Sequence, residues 1–262
     1  METKVNVKTE ELKEQHKENI MRICISGANN MGKSTLVKDF LNTWTNYKHV
    51  DLTYRKKIQE KLGKDPNGTD YRSLSMLGCK ENQEFIRNCI IDDISGYTRN
   101  DNIIYDRGLW DNLMYSLYLC GNGAQGCDGE WIKSQLPIFK EAFKLYDVIL
   151  FIPLLEGYST PVIPEGNADL DREVVFRSEC DNILKALQKE YLDGKRNWLP
   201  KDDCPAIVEI FGTPQERIEM IKLYINTDGC AYGEKDELIT KHLTEGLEFM
   251  KTFDELHKTT EK

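Results

Sequence analysis

Between an apolar run at residues 22–26 (RICIS) and a helical stretch beginning near Lys33 lies the segment Gly27-Ala28-Asn29-Asn30-Met31-Gly32-Lys33-Ser34. It fits G-x-x-x-x-G-K-[ST] at every fixed position. No other feature constrains the fold as much. Glycines let the backbone turn so that successive N–H groups point inward at an anion. The helix that follows adds about half a positive charge at its N-terminus. A strand must bring the chain to such a loop and a helix must carry it away, which puts the loop at the carboxyl edge of a parallel sheet. Lys33 is expected to reach the β- and γ-phosphates of a nucleoside triphosphate, and Ser34 to place its hydroxyl on Mg2+. Gly27, Ala28, Asn29, Asn30, Met31, Gly32, Lys33, Ser34 and Thr35 together form the expected nucleotide-binding loop. The motif fixes nucleotide binding and leaves the reaction open.

The rest of the chain supports that geometry. Strands are expected at 22–26, 48–54, 102–106, 147–153 and 206–211. Helices are expected at 33–45, 55–62, 80–96, 109–119, 131–145 and 172–192. Thr213-Pro214-Gln215-Glu216 reads as a further helix start, with Thr as the cap, Pro in the first turn and Glu at the third position. Polar, glycine- and proline-rich stretches at 63–72, 121–129 and 154–170 read as loops. Apolar strands alternating with helices give an α/β chain: a three-layer P-loop NTPase fold, a parallel sheet flanked by helices, plus a lid segment. The expected organisation is a charged N-terminal extension over 1–20, one domain over 21–228 with its lid at about 154–180, and a charged helical tail over 229–262 packed on or extending that domain. Gly27, Asp106 and Gly212 all follow strand patterns and should face one edge.

A chain of 262 residues suits one such domain. No apolar run approaches the ~20 residues of a membrane helix. The first residues have neither the apolar core of an export signal nor the acid-poor character of a transit peptide. Eight cysteines stand at 24, 79, 89, 120, 127, 180, 204 and 230 without a CxxC pair, and the four histidines are scattered. That pattern argues against a zinc site and for reduced thiols in a cytoplasmic protein. The formal net charge of −9 argues against long nucleic acid as the main partner and suits a small anionic ligand held by a few placed cations.

Asp106 ends an apolar strand and is followed by Arg107. An acid here would hold a Mg2+-bound water opposite Ser34. Arg107 can clamp a phosphate in a fork. The segment IIYDRGLWDNLMYSL resembles the matching part of the P-loop nucleoside and nucleotide kinases. That family includes thymidylate kinases, deoxynucleoside kinases and the nicotinamide riboside kinase domain. ADLDREVVFRSECDNIL resembles its arginine-bearing lid and following helix, and VEIFGTPQERIEMI resembles its final strand and adenine loop. With gaps, the resemblance covers about 22–225. It implies a Rossmann-like sheet, ATP as co-substrate and transfer of its γ-phosphoryl group. It also implies lid roles for Arg172 and Arg177, an adenine-side role for Gly212 and Thr213, and a second acid at Asp111. Dimers are common in that family, which leaves a homodimer open.

For the acceptor, a small-molecule nucleoside or nucleotide, the segment from His49 to Arg55 offers Asp51 as a base and Arg55 as a phosphate clamp, with Tyr54 beside them. Members of the family often carry Glu three residues before the arginine, where this chain has Leu52. The departure favours a phosphorylated acceptor, because a phosphate acceptor needs no base. Gln83 occupies the position from which the family reads a base edge with an amide. Tyr54, Tyr71 and Phe85 could stack on a base or serve the core. Two alternatives stay open: a hydroxyl on a polynucleotide or modified base as acceptor, and a nucleotide-dependent switch that orders a partner surface.

Overall fold

Strand β1 (Arg22–Gly27) has all six residues buried, and its position in the sheet explains why. In the computed structural model it is the central strand. The structure describes residues 21–61, 63, 78–157 and 170–231, with side chains from residue 174 onward in the last stretch. The other strands are β2 (Lys48–Val50), β3 (Ile103–Asp106), β4 (Val148–Ile152) and β5 (Ala206–Glu209). The sheet order is β2-β3-β1-β4-β5, and every pairing is parallel. Interior parallel strands are covered on both faces, so they read as unbroken apolar runs. β1 and β4 are buried along their whole length. The edge strand β2 carries exposed Lys48 and His49.

The helices are α1 (Lys33–Thr43), α2 (Tyr54–Lys61), α3 (Lys80–Ser95), α4 (Leu109–Gly121), α5 (Gly129–Phe143), α6 (Leu170–Leu192) and α7 (Pro214–Lys222). They pack in two groups: α1 against α7, and α2, α3, α4, α5 and α6 against one another with α4 at the centre. With the sheet between them this is the three-layer α/β arrangement expected. One apolar core joins Ile23 and Ile25 of β1, Leu150 of β4, Phe40 of α1, and Trp110 and Leu113 of α4. At the far end of β1 the buried Arg22 guanidinium donates to Asp147, Nε to Oδ2 at 3.0 Å.

Several boundaries differ from the sequence expectation, each for a local reason. β2 stops at Val50 rather than running to 54. Thr53 instead donates its N–H to Asp93 Oδ2 of α3 at 2.7 Å and its hydroxyl to Asp93 Oδ1 at 2.9 Å. That bond turns the chain into α2. α5 begins at Gly129 because Asp128 caps it, accepting the Trp131 N–H at 2.7 Å. α7 starts as expected: Thr213 Oγ1 accepts the Glu216 N–H while the Glu216 carboxylate accepts the Thr213 N–H at 2.6 Å. Residues 225–231 fold back onto the connection between α1 and β2, where Trp44 Nε1 donates to Asn226 O and Tyr47 Oη donates to Gly229 O, each at 2.7 Å. The 1–20 extension, Tyr71 with most of the 63–72 loop, residues 158–169 of the 154–170 loop, and the tail from 232 lie outside the described residues. The lid expected over about 154–180 is helical from Leu170 onward. No helix among the described residues is long and apolar enough to cross a membrane.

Candidate functional site

The phosphate loop begins where β1 meets β4. Gly27 pairs with Ile152, and a Cβ at Gly27 would stand 2.7 Å from the Ile152 carbonyl oxygen. Its φ of 153° also lies in territory open to glycine. Only a residue without a side chain lets the loop leave the sheet here. Asn30, at φ 60°, and Gly32, at φ 80°, complete the turn, and Gly32 is the cap of α1. Lys33, 5% exposed, folds back so that Nζ donates to Gly27 O at 2.7 Å and Ala28 O at 2.5 Å. Burial first, and then the like charge of Arg107, pull this ammonium down to about 7.

β3 delivers the opposing acid. Ser34 Oγ of α1 donates to Asp106 Oδ2. Asp106 Oδ1 is buried without a hydrogen-bond partner. A hydroxyl, a carboxylate and an unsatisfied carboxylate oxygen beside this loop fit Mg2+, which takes one or two protein oxygens and completes its shell with water and phosphate. Ser34 and Asp106 are the residues that would hold it.

The side chain of Arg107, at φ 78°, is directed by a fan of acceptors. Nη2 donates to Asn29 Oδ1 of the phosphate loop at 2.8 Å, and Nη1 donates to Tyr115 Oη at 3.1 Å and approaches Asp111 Oδ1 at 3.4 Å. Tyr115 in turn donates to Asn29 Oδ1 at 2.9 Å. Asp111 and Tyr115 are one turn apart, so α4 presents both on the face that Arg107 meets. Burial raises the Asp111 carboxyl, and Arg107 and Lys33 oppose that shift.

A cavity of about 400 Å3 starts at this cradle and continues between α2, α3, α4 and α6. That volume falls in the ordinary range for a small-molecule site. Tyr54 and Arg55 enter it from α2, Gln83 from α3, Asn112 from α4 and Phe176 from α6. Asn112 Nδ2 donates to Gln83 Oε1 at 3.0 Å, which sets the orientation of the glutamine amide. Phe176 stacks on Tyr115, with centroids 6.1 Å apart, and meets Tyr118 edge-on at 4.9 Å.

Of the residues singled out from the sequence, Asn29 to Thr35, Asp106, Arg107, Tyr54, Arg55 and Gln83 line this one cavity. Other expected residues lie elsewhere. Asp51 does not line the cavity. Its side chain is 94% exposed and faces His49 Nδ1 at 3.4 Å, because β2 has already ended. Gly27 and Ala28 lie behind the cavity wall and take the Lys33 ammonium on their carbonyls. Gly212 and Thr213 do not line it either: Thr213 caps α7, and the Gly212 carbonyl accepts from Arg217 at 3.0 Å. Arg177 is enclosed on α6 at 2% exposure, and its neighbour Phe176 reaches the cavity instead. Arg172 is in the first turn of α6, its side chain outside the described residues.

Sequence reasoning passed over Asn112, Tyr115, Tyr118 and Phe176. Three of them had a signal. In LWDNLMYSLYLCG, a largely apolar helix, the polar groups at 111, 112, 115 and 118 recur at helical spacing.

No family model matches this chain, and no curated protein matches it. Among solved structures it is similar to NadR in complex with NAD and AMP-PNP, at TM-score 0.49 and 16% identity over 84% of this chain and 52% of that one. This chain spans about half the length of that protein. It is similar to thymidylate kinase from Candida albicans at TM-score 0.43 and 17% identity, covering 82% and 96% of the two chains. It is also similar to deoxyadenosine kinase from M. mycoides with bound dATP, at TM-score 0.47 and 12% identity, covering 77% and 97%. These are likenesses of fold.

Proposed function

We propose that this chain is a phosphotransferase that moves the γ-phosphoryl group of ATP to a nucleoside or nucleoside monophosphate, with a preference for the (deoxy)nucleoside monophosphate. One observation carries the reading: a single cavity joins the phosphate loop to a wall bearing an oriented amide and aromatic rings. A triphosphate at one end and a heterocycle at the other would meet near Arg107, which touches the loop through Asn29. Phosphoryl transfer asks little covalent chemistry of a protein and depends on alignment and charge. Lys33 and Arg107 supply positive charge, and Mg2+, when bound by Ser34 and Asp106, would neutralise phosphate oxygens. Arg172, at the start of α6, is proposed as the arginine that approaches the migrating group from the lid side.

The preference for a phosphorylated acceptor rests on Asp51 and Arg55. Asp51 is turned to solvent. Of the acids that line the cavity, Asp106 accepts from Ser34 and Asp111 faces Arg107. The base expected at Asp51 is not at the cavity, whereas an acceptor phosphate finds Arg55 at its wall.

The test is a transfer screen with purified protein, Mg·ATP, and a panel of nucleosides, ribo- and deoxynucleoside monophosphates, and hydroxyl-ended DNA, with product masses read directly. One monophosphate gaining a single phosphate supports the reading. A phosphorylated nucleoside removes the preference while keeping the reaction. Labelled DNA moves the acceptor to a polynucleotide, and ATP binding without any product points to a switch.

A further inference from the structure

Arg217 is on α7, one turn past the Thr213 cap, and is 8% exposed. Its Nη1 donates to the carbonyl of Met31 in the phosphate loop at 2.8 Å, and its Nε donates to Gly212 O at 3.0 Å. A Cβ at Gly32 would stand 3.0 Å from Nη1. The guanidinium is thus pressed against the phosphate loop without lining the cavity, beside the residue preceding Lys33.

Its surroundings lack the usual counter-charge. The buried Arg22 is held by Asp147, and Arg107 by Asp111. The acid next to Arg217 in sequence, Glu216, is turned back onto the Thr213 N–H. Among the described residues, both bonds of Arg217 go to carbonyl oxygens. Burial pulls its pKa down with no acid to raise it again. A buried cation without a paired acid is costly, because desolvation is not repaid by a nearby opposite charge. A carbonyl pair lowers that cost without cancelling the charge.

We propose that Arg217 is a positioning residue for a nucleoside polyphosphate: its charge acts through the Met31–Gly32 backbone, and the bound phosphates are its missing counter-charge. This rests on the reading of Gly27–Thr35 as a nucleotide loop. Because Arg217 acts by field rather than by touch, its effect grows with the number of phosphates on the ligand and is weakened by salt. A guanidinium serving only to tie α7 to the loop would affect every adenine nucleotide alike.

The experiment titrates ATP, ADP and AMP calorimetrically into the full chain at low and high salt, for wild type, Arg217→Gln, Arg217→Met and Arg217→Lys. Melting temperatures are measured without nucleotide. For Arg217→Gln and Arg217→Met the expected losses in affinity are about tenfold for ATP, about fivefold for ADP and under about twofold for AMP, with a flatter salt dependence. Arg217→Lys is expected within about threefold of wild type, because charge rather than fork geometry matters. The nucleotide-free melting temperature should stay level or rise in the neutral variants. Equal losses for all three nucleotides, a lysine variant no better than glutamine, or failure of both neutral variants to fold would each overturn the proposal while wild type still binds ATP. Wild type binding no nucleotide would remove the phosphate-loop reading and this proposal together.

Discussion

Lys33 is held by two carbonyls of its own loop, and both bonds are short. A polyphosphate would have to draw the ammonium away from those carbonyls. Lys33→Ala should lower turnover by at least about a hundredfold, the usual loss for one charged donor at a developing charge. It should also weaken ATP binding, read by single-turnover kinetics and by titration. Wild-type turnover in that variant would remove the site assignment. A second residue tests the support beneath the site. Gly108 links Arg107 to α4, and a Cβ there would stand 2.5 Å from Tyr146 Oη and 2.7 Å from Cys24 Sγ. Its φ of 179° is open to any residue, so the constraint is space alone. Gly108→Ala should cost about 1–3 kcal/mol by overpacking, measured as a lower urea midpoint with an unchanged slope. A midpoint equal to wild type would mean that the Tyr146 ring yields freely. Lys33 and Ser34 were legible in the sequence because their motif is local. Asn112 and Tyr115 were less so, because α3 and α6, which complete their neighbourhood, are far away in the chain.

At the scale of elements, α6 controls how the chain leaves β4. Asp181 Oδ1 accepts the Leu154 N–H at 2.8 Å, and Lys185 Nζ donates to Leu154 O at 2.5 Å. The two side chains also pair with each other at 2.6 Å, Asp181 at 1% and Lys185 at 36% side-chain exposure. One residue after β4 is thus held at both its N–H and its carbonyl by one turn of helix. Burial raises the Asp181 carboxyl, and Lys185 and the Leu154 N–H lower it again. Lys185→Ala leaves a carboxylate enclosed without its cation, whereas Asp181→Asn keeps an oxygen for the Leu154 N–H. The lysine variant should therefore be the less stable of the two, by about 1–2 kcal/mol, since stranding a buried charge costs more than neutralising it. Denaturant unfolding of both variants and the double mutant gives the coupling directly. Equal losses would mean that water replaces the ammonium. The strand and helix pattern was readable throughout because its periods are local. What was not readable is where each element stops. β2 ends early because Asp93, some forty residues on, takes the Thr53 N–H and hydroxyl, and no local pattern announces such a partner.

For the whole molecule, the order β2-β3-β1-β4-β5 puts the phosphate loop after the central strand and Asp106 after its neighbour. Ser34 and Asp106, 72 positions apart, meet because parallel strands end at one edge. The motif identified that edge from sequence. The distance between Asp51 and the cavity could not be read there, because it depends on a turn fixed by α3. A ligand at this edge touches the ends of β1 and β3 together with α1 and α4, which are the centre of the core. Its binding energy should therefore be felt by the cooperative unit rather than by a loop. Mg·ATP at about a hundred times its dissociation constant adds about 2.7 kcal/mol to the folded state by mass action. For a domain of this size that raises the melting temperature by about 5–10 °C. Lys33→Ala, assayed at the same ligand concentration, should shift by a small fraction of that. A wild-type melting curve unmoved by Mg·ATP, yet moved by a nucleoside monophosphate alone, would place the first ligand at the Gln83 end of the cavity rather than at the phosphate loop.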